Sequence, residues 1–219
     1  GGTVVHINAG VAAVVAALVV GKRKDFGRTA MLPHNVPFAL LGAALLYFGW
    51  FGFNAGSALA ANGSAAGAFA TTMLAPMATL CVWMALDAVR TQRATAVGAA
   101  TAIVVGLVVI TPAAGFVSPK SAIIMGALGA IPSYYAILWR SRTRLDDSLD
   151  GLAGHGVGGM TGALLTGVFA EAAWGGTNGL LYGNPKQFVL QATGVAATIV
   201  YSAAMSFVLL KAIALVGKL

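Results

Sequence analysis

LAGHGVGGMTGALLTGVFA, residues 152–170, is an apolar run with no formal charge, six glycines and one histidine, His155. A soluble helix rarely holds so many glycines, because each costs about 1 kcal/mol relative to alanine. A membrane span rarely holds a histidine, because a titratable group in hydrocarbon needs a protein partner or a water-filled path. The run reads as a membrane span whose histidine has a purpose.

The rest of the chain fits a membrane setting. Of its 219 residues 58% are hydrophobic and 9% charged, against roughly 25% charged in an ordinary soluble domain. Seven stretches of about the length needed to cross hydrocarbon follow one another: 3–21, 36–58, 65–87, 95–112, 121–139, 151–171 and 188–216. Between them lie segments rich in turn formers or charge, such as GKRKDFGRTAMLPHN and RSRTRLDDSLD. A transmembrane β-barrel needs alternating ten-residue segments, which these unbroken runs are not. The expected fold is therefore all-α, a polytopic membrane helical bundle, with no separate soluble domain across 1–219. The abrupt apolar opening, GGTVVHINAG, reads as a chain that begins inside a span, with further residues expected upstream.

The net charge of +7 does not indicate nucleic acid, because the charges cluster in short loops and not along one face. Eleven of the thirteen Lys and Arg residues fall in the first, third and fifth loops and the C-terminal end, leaving Lys120 and Lys186 on the other side. By the positive-inside rule the N-terminal end faces out and the C-terminus is cytoplasmic. Cys81, the one cysteine, sits in MATLCVWMAL and is expected to be a buried apolar thiol.

His6 and His155 are the histidines in spans; His34 falls in a cytoplasmic loop. Five crossings separate the two spans, so their helices run antiparallel. Their frames match, HINAG and HGVGG, each with a glycine four residues on. Matching elements of opposite direction are what an inverted repeat leaves. The residues leave three readings open: two separately satisfied histidines, a pair of neutral imidazoles exchanging one hydrogen bond and relaying a proton for a small amine, or two ligands of a haem iron. Gly158 and Gly162 form a small-xxx-small packing face. In the second span Trp50, Phe53 and Ser57 share one helical face, as an aromatic stripe or as a pore face that attracts a cation. Asp146, Asp147 and Asp150 are expected to balance RSRTR at the surface, with Asp150 a candidate helix cap. No phosphate loop, metal-ligand cluster or nucleophile elbow is present in the sequence. Neither a metal nor a cofactor is expected.

GGTVVHINAG, LPHNVPFALLGAALLYFGWFGFNAGSALAAN, ITPAAGFV and DGLAGHGVGGMTGALLTGVFA closely resemble the Amt/Mep/Rh ammonium transporter family, in particular its bacterial Amt branch. The resemblance implies eleven spans per subunit of a homotrimer, with spans one to five and six to ten an inverted repeat. The chain looks like the fifth to the eleventh span, the C-terminal part of an ammonium transporter domain in a bacterial cytoplasmic (inner) membrane. It implies His6 and His155 as twin pore histidines, Phe53 as one of two gating phenylalanines, Trp50 as a pore-lining residue and Ser57 as part of ammonium recruitment. The second gating phenylalanine, the recruiting tryptophan and an acidic residue lie upstream in relatives, and a PII-contacting tail lies downstream. The implied activity is uptake of ammonium or ammonia, with methylammonium as analogue, by a transporter and not an enzyme. A PII-type regulatory protein is the implied cytoplasmic partner. Competing classes are a bis-histidine haem redox protein, an ammonium sensor, which in relatives carries an extra cytoplasmic domain, and an Rh-type gas channel; GWFGFNAGS favours Amt.

Overall fold

The computed structural model describes residues 2–29 and 33–217, and the regular structure among them is entirely helical. Lys218 of the positive-inside count lies outside the described residues. A π-helical turn over Thr3–Ile7 leads into α1 (Asn8–Val20). Then come α2 (Val36–Gly56), α3 (Gly63–Thr91), α4 (Ala96–Ile110) and α5 (Pro119–Arg140). A second π-helical turn, Leu152–Val157, leads into α6 (Gly158–Phe169). The short α7 (Ala172–Gly175) and a 3-10 turn, Leu180–Tyr182, precede α8 (Pro185–Val216).

Local chemistry sets the helix starts. The side chains of Asn35, Asn62, Thr95 and Ser118 accept the amides of Phe38, Ala65, Gly98 and Ser121 at the N-termini of α2 to α5, which satisfies donors no helix can pair internally. Pro37, Pro119 and Pro185 occupy first-turn positions, where the missing N–H costs nothing. Gln92 ends α3 in the left-handed region at φ 57°.

Among the described residues five helical runs are long and apolar enough to cross a membrane: Thr3–Val20, α2, α3, α5 and α8. The stretch read as a span over 95–112 forms a shorter helix, the 15 residues of α4, while that over 151–171 forms one unbroken helical run of the π turn and α6 over 152–169. Both are inner helices. Every residue from Val105 to Ile110 is buried, and the turn after α4 stays inside with Ala113 and Val117 fully covered. A non-helical backbone at membrane depth is tolerable where protein surrounds it, so α4 and its buried turn need not span alone.

Small residues let the inner helices close. A Cβ on Gly129 would meet the Val109 side chain, and Gly126 and Gly106 lie directly on the backbones of Ala75 and Pro76. Thr79 bridges from α3 to the Gly126 carbonyl of α5 at 2.7 Å, and Thr71 donates to Ala114 O at 2.8 Å. The outer helices are the reverse: Phe48 is 80% exposed, and Leu18 and Tyr201 lie open on α1 and α8. Such apolar surface suits lipid or further protein. Cys81 corrects an expectation, because its side chain is exposed. Thr72, Pro76, Thr79 and Trp83 carry the buried face of α3, and Cys81 falls on the face opposite.

The acids of the segment before α6 divide their labour. Asp146 takes Arg23, with Nε at 2.9 Å and the Arg23 amide at 2.8 Å, and this guanidinium holds the Asp146 carboxyl below its ordinary value. Asp150 pairs with Arg140 at 2.7 Å. The cap of the sixth span is Asp147 and not Asp150: it is buried and accepts the amides of Gly151 and Leu152 at 3.0 and 2.8 Å. Asp150 stands at φ 53°, not in the extended backbone of a capping residue, and its carboxylate is turned to Arg140.

Candidate functional site

His6 and His155 occupy corresponding places, each the fourth residue of a π-helical turn that opens a helix. The extra residue in a π turn rotates the following side chains relative to an α-helix. The two turns cross at glycine. Gly10 lies so close to Gly156 that a Cβ there would enter the Gly156 backbone. On the other side a Cβ on Gly159 would stand 3.0 Å from His6 Cβ and 3.1 Å from Ile7 N. The partners obey one offset, since 149 residues separate His6 from His155 and equally separate Gly10 from Gly159 and Ile7 from Gly156. The crossing is locally two-fold.

That crossing brings the imidazoles together. Nδ1 of His6 and Nδ1 of His155 are 3.1 Å apart, and the ring centroids are 5.3 Å apart with planes 25° from parallel. A single proton fits between two like nitrogens, so one ring donates and the other accepts. His6 is 3% exposed, and its Nε2 has no partner among the described residues.

Aromatic side chains of α2 cover the pair. The Trp50 ring stacks on His6 at 5.3 Å and 15°, and Phe53 meets His6 edge-on at 6.2 Å. Trp50 is buried, and its indole N–H donates to Thr111 Oγ1 at 2.8 Å, whose own hydroxyl donates to Leu107 O at 2.6 Å. A buried indole N–H needs such a partner; Thr111, in ITPAAG, was not singled out by the sequence reading. Asn54 is likewise buried and donates to Thr72 Oγ1 at 2.9 Å. Ser57 follows the helix and donates to the Phe53 carbonyl at 2.7 Å.

Three cavities lie in sequence along these residues. The first, of about 460 Å3, is lined by Phe53, Ser57, Ser64, Thr111, Phe116 and Trp174 among others. A middle one of about 540 Å3 is almost wholly apolar and reaches Phe53, Trp50 and His6. The third, of about 380 Å3, is lined by Leu46, Thr101, Val104, Asp150 and His155. Phe53 stands between the first two, and the imidazole pair between the second and third. His34 is remote from all of them, exposed in its loop.

This geometry does not suit haem. At 3.1 Å the two Nδ1 atoms are in direct hydrogen-bond contact and leave no room for an iron between them.

A family model described as the Ammonium Transporter Family matches residues 1–219. The chain belongs to the ammonium transporter family. An ammonium transporter of Aquifex aeolicus is 52% identical over 211 residues, covering 96% of this chain and 49% of that relative. The crystal structure of Saccharomyces cerevisiae Mep2 superposes with a TM-score of 0.90 at 36% identity, covering 98% of this chain and 50% of Mep2. A solved Sensor Amt Protein matches at 32% identity and a TM-score of 0.90, over 100% of this chain and 55% of its own. The chain thus spans about half the length of the relatives it matches. This member of the ammonium transporter family is an integral membrane protein, with apolar helices of spanning length.

Proposed function

We propose that this chain is the C-terminal part of an ammonium-transporting subunit in a bacterial cytoplasmic membrane, with its N-terminal end outside, its C-terminus cytoplasmic, and the subunit assembled as a homotrimer. The observation that carries the reading is the hydrogen-bonded imidazole pair at the inner end of an apolar, aromatic-capped cavity. Ammonium in water is mostly a cation, and moving a cation through such a space costs several kcal/mol or more. The aromatic rings and Ser57 select the cation outside, and Phe53 closes the way inward. Ammonia then crosses as a neutral molecule with the proton carried separately. In the pair, the ring that donates through Nδ1 has a free acceptor at Nε2, and the ring that accepts has a donor there. A proton delivered to the bare Nε2 of the donating ring, passage of the shared proton to the other Nδ1 and release of the proton on that ring's Nε2 together exchange these roles and carry one proton past the pair. Before and after the relay both rings are neutral and ammonia meets one donor and one acceptor, so the buried charge is confined to the transfer itself. A PII-type protein is the proposed cytoplasmic regulator.

The test is uptake of labelled methylammonium into proteoliposomes holding the full gene product. Saturable uptake that ammonium competes away supports transport. Ammonium binding without uptake would instead favour a sensor, the class of the solved Sensor Amt Protein that this chain resembles.

A further inference from the structure

The cavity at Phe53 and Ser57, the outer cavity in the transport reading, has a wall from an element that the pore helices do not supply. Trp174 lies in α7, four residues between the sixth and seventh spans, and lines the same cavity as Phe53 and Ser57. We propose that the Trp174 indole is a cation-binding surface of this outer cavity, a specificity-determining contact for ammonium and small alkylammonium ions; this rests on the transport reading above.

The loop that carries Trp174 is fixed at several points. The Glu171 amide donates to Phe116 O at 2.9 Å, the Ala172 amide to Asn178 Oδ1 at 2.8 Å, and the Gly179 amide to Ala170 O at 2.7 Å. The Glu171 carboxylate accepts the hydroxyls of Ser118 at 2.6 Å and Ser121 at 3.2 Å, from the start of α5. The backbone on either side of α7 is thereby tied to the turn before α5 and to the end of α6. Gly175 abuts Phe116 directly, a contact that no side chain at 175 would permit.

The indole itself has a prepared seat. Gly67 in α3 leaves room for it: a Cβ there would stand 3.2 Å from Trp174 Cε3 and Cζ3. Seated against α3, the ring is still 40% exposed. It borders the outer cavity on one side and a smaller cavity of about 350 Å3, with Gly63 and Ala173, on the other. At this exposure the indole is not enclosed. It is held at its backbone and along one edge, with ring surface left open to a space that also reaches Ser57.

The chemistry then follows. Tryptophan has the strongest cation-attracting face of the aromatic side chains. A cavity of about 460 Å3 is many times the roughly 30 Å3 share of one water. Size alone therefore cannot choose ammonium from other small solutes there, and the walls must. Trp174 and Phe53 offer aromatic faces, while Ser57 offers a hydroxyl oxygen to an N–H donor. The carboxylate that anchors the loop adds a fixed negative charge one helical turn from the indole.

The test is methylammonium binding to the purified full gene product by titration calorimetry, comparing wild type with Trp174→Leu and Trp174→Phe. Leucine keeps apolar bulk without a π face, and phenylalanine keeps a weaker one. The dissociation constant should rise about two- to fivefold with leucine, the ratio expected of a partly exposed cation–π contact, and less with phenylalanine. An unchanged constant in Trp174→Leu, or equal weakening in both variants, overturns the proposal. So does wild type that binds no methylammonium. Uptake is measured in parallel: binding that depends on Trp174 without any uptake would uphold this contact while removing the transport reading.

Discussion

Gly10→Ala tests whether the crossing of the two π turns sets the distance between the histidines. The new Cβ would lie more than about 1 Å inside a normal carbon–nitrogen contact of ~3.5 Å with the Gly156 backbone. Backbone cannot swing aside as a long side chain can, so the two half-helices must separate. If half of that movement, about 0.5 Å or more, reaches the rings, the 3.1 Å Nδ1–Nδ1 contact stretches beyond hydrogen-bonding range. Overpacking at such a point costs about 1–3 kcal/mol. The protein should fold with a lowered melting temperature. Ammonium transport should fall at least about tenfold, the effect of losing a hydrogen bond worth roughly 1.4 kcal/mol in the rate-limiting passage. Gly154→Ala is the control, because nothing lies within 4 Å of a Cβ there. The assay is ammonium-evoked uptake in proteoliposomes with protein content matched. Wild-type uptake in Gly10→Ala, with the folded protein intact, would refute the claim that the crossing sets the pair.

Other consequences follow from particular contacts. Trp50→Phe removes the N–H held by Thr111 and should destabilise by about 1 kcal/mol; a double-mutant cycle with Thr111→Val by thermal unfolding should show clear non-additivity. Asp147→Ala strips the cap from two buried amides and should cost about 1–2 kcal/mol, whereas Asp146→Ala, which loses the pair with Arg23, should cost less by the same unfolding assay. Glu171 is held below the ordinary glutamate value, first by the Ser118 hydroxyl. A depressed acid stabilises above its ordinary value of about 4.3 and loses that contribution as pH falls. Trp174 fluorescence, read against a Trp174→Phe background, should therefore stay constant from about pH 5 to 8 and change only below about pH 4. Glu171→Gln should remove that acid transition.

Much of the bundle was legible because apolar runs of spanning length leave little choice of secondary structure. The relation between His6 and His155 was legible too, from parity and from the glycine four residues beyond each. The structure adds what those glycines do, since Gly10 and Gly159 are the points at which the opposing turns touch. Other features had no local signal. A π turn differs from an α turn by one residue, and nothing in TVVHI or LAGHGV marks it. Thr111 and Trp50 lie 61 residues apart, so their bond exists only through tertiary packing. Asp147 and Asp150 look alike in DDSLD; backbone geometry decides which one reaches the amides. Cys81 was misread because an apolar sequence context does not distinguish a protein-facing from a lipid-facing side of a membrane helix. Trp174 fell among turn residues, where spacing carries no information about what a side chain faces.

The most direct measurement is charge movement on a solid-supported membrane after an ammonium pulse, using proteoliposomes of the full gene product as wild type, His6→Ala and His155→Ala. The account predicts an ammonium-dependent response in wild type that either substitution abolishes or turns into an unselective leak. Wild-type response and selectivity surviving in both variants would contradict it, and would leave the paired imidazoles as a packing feature.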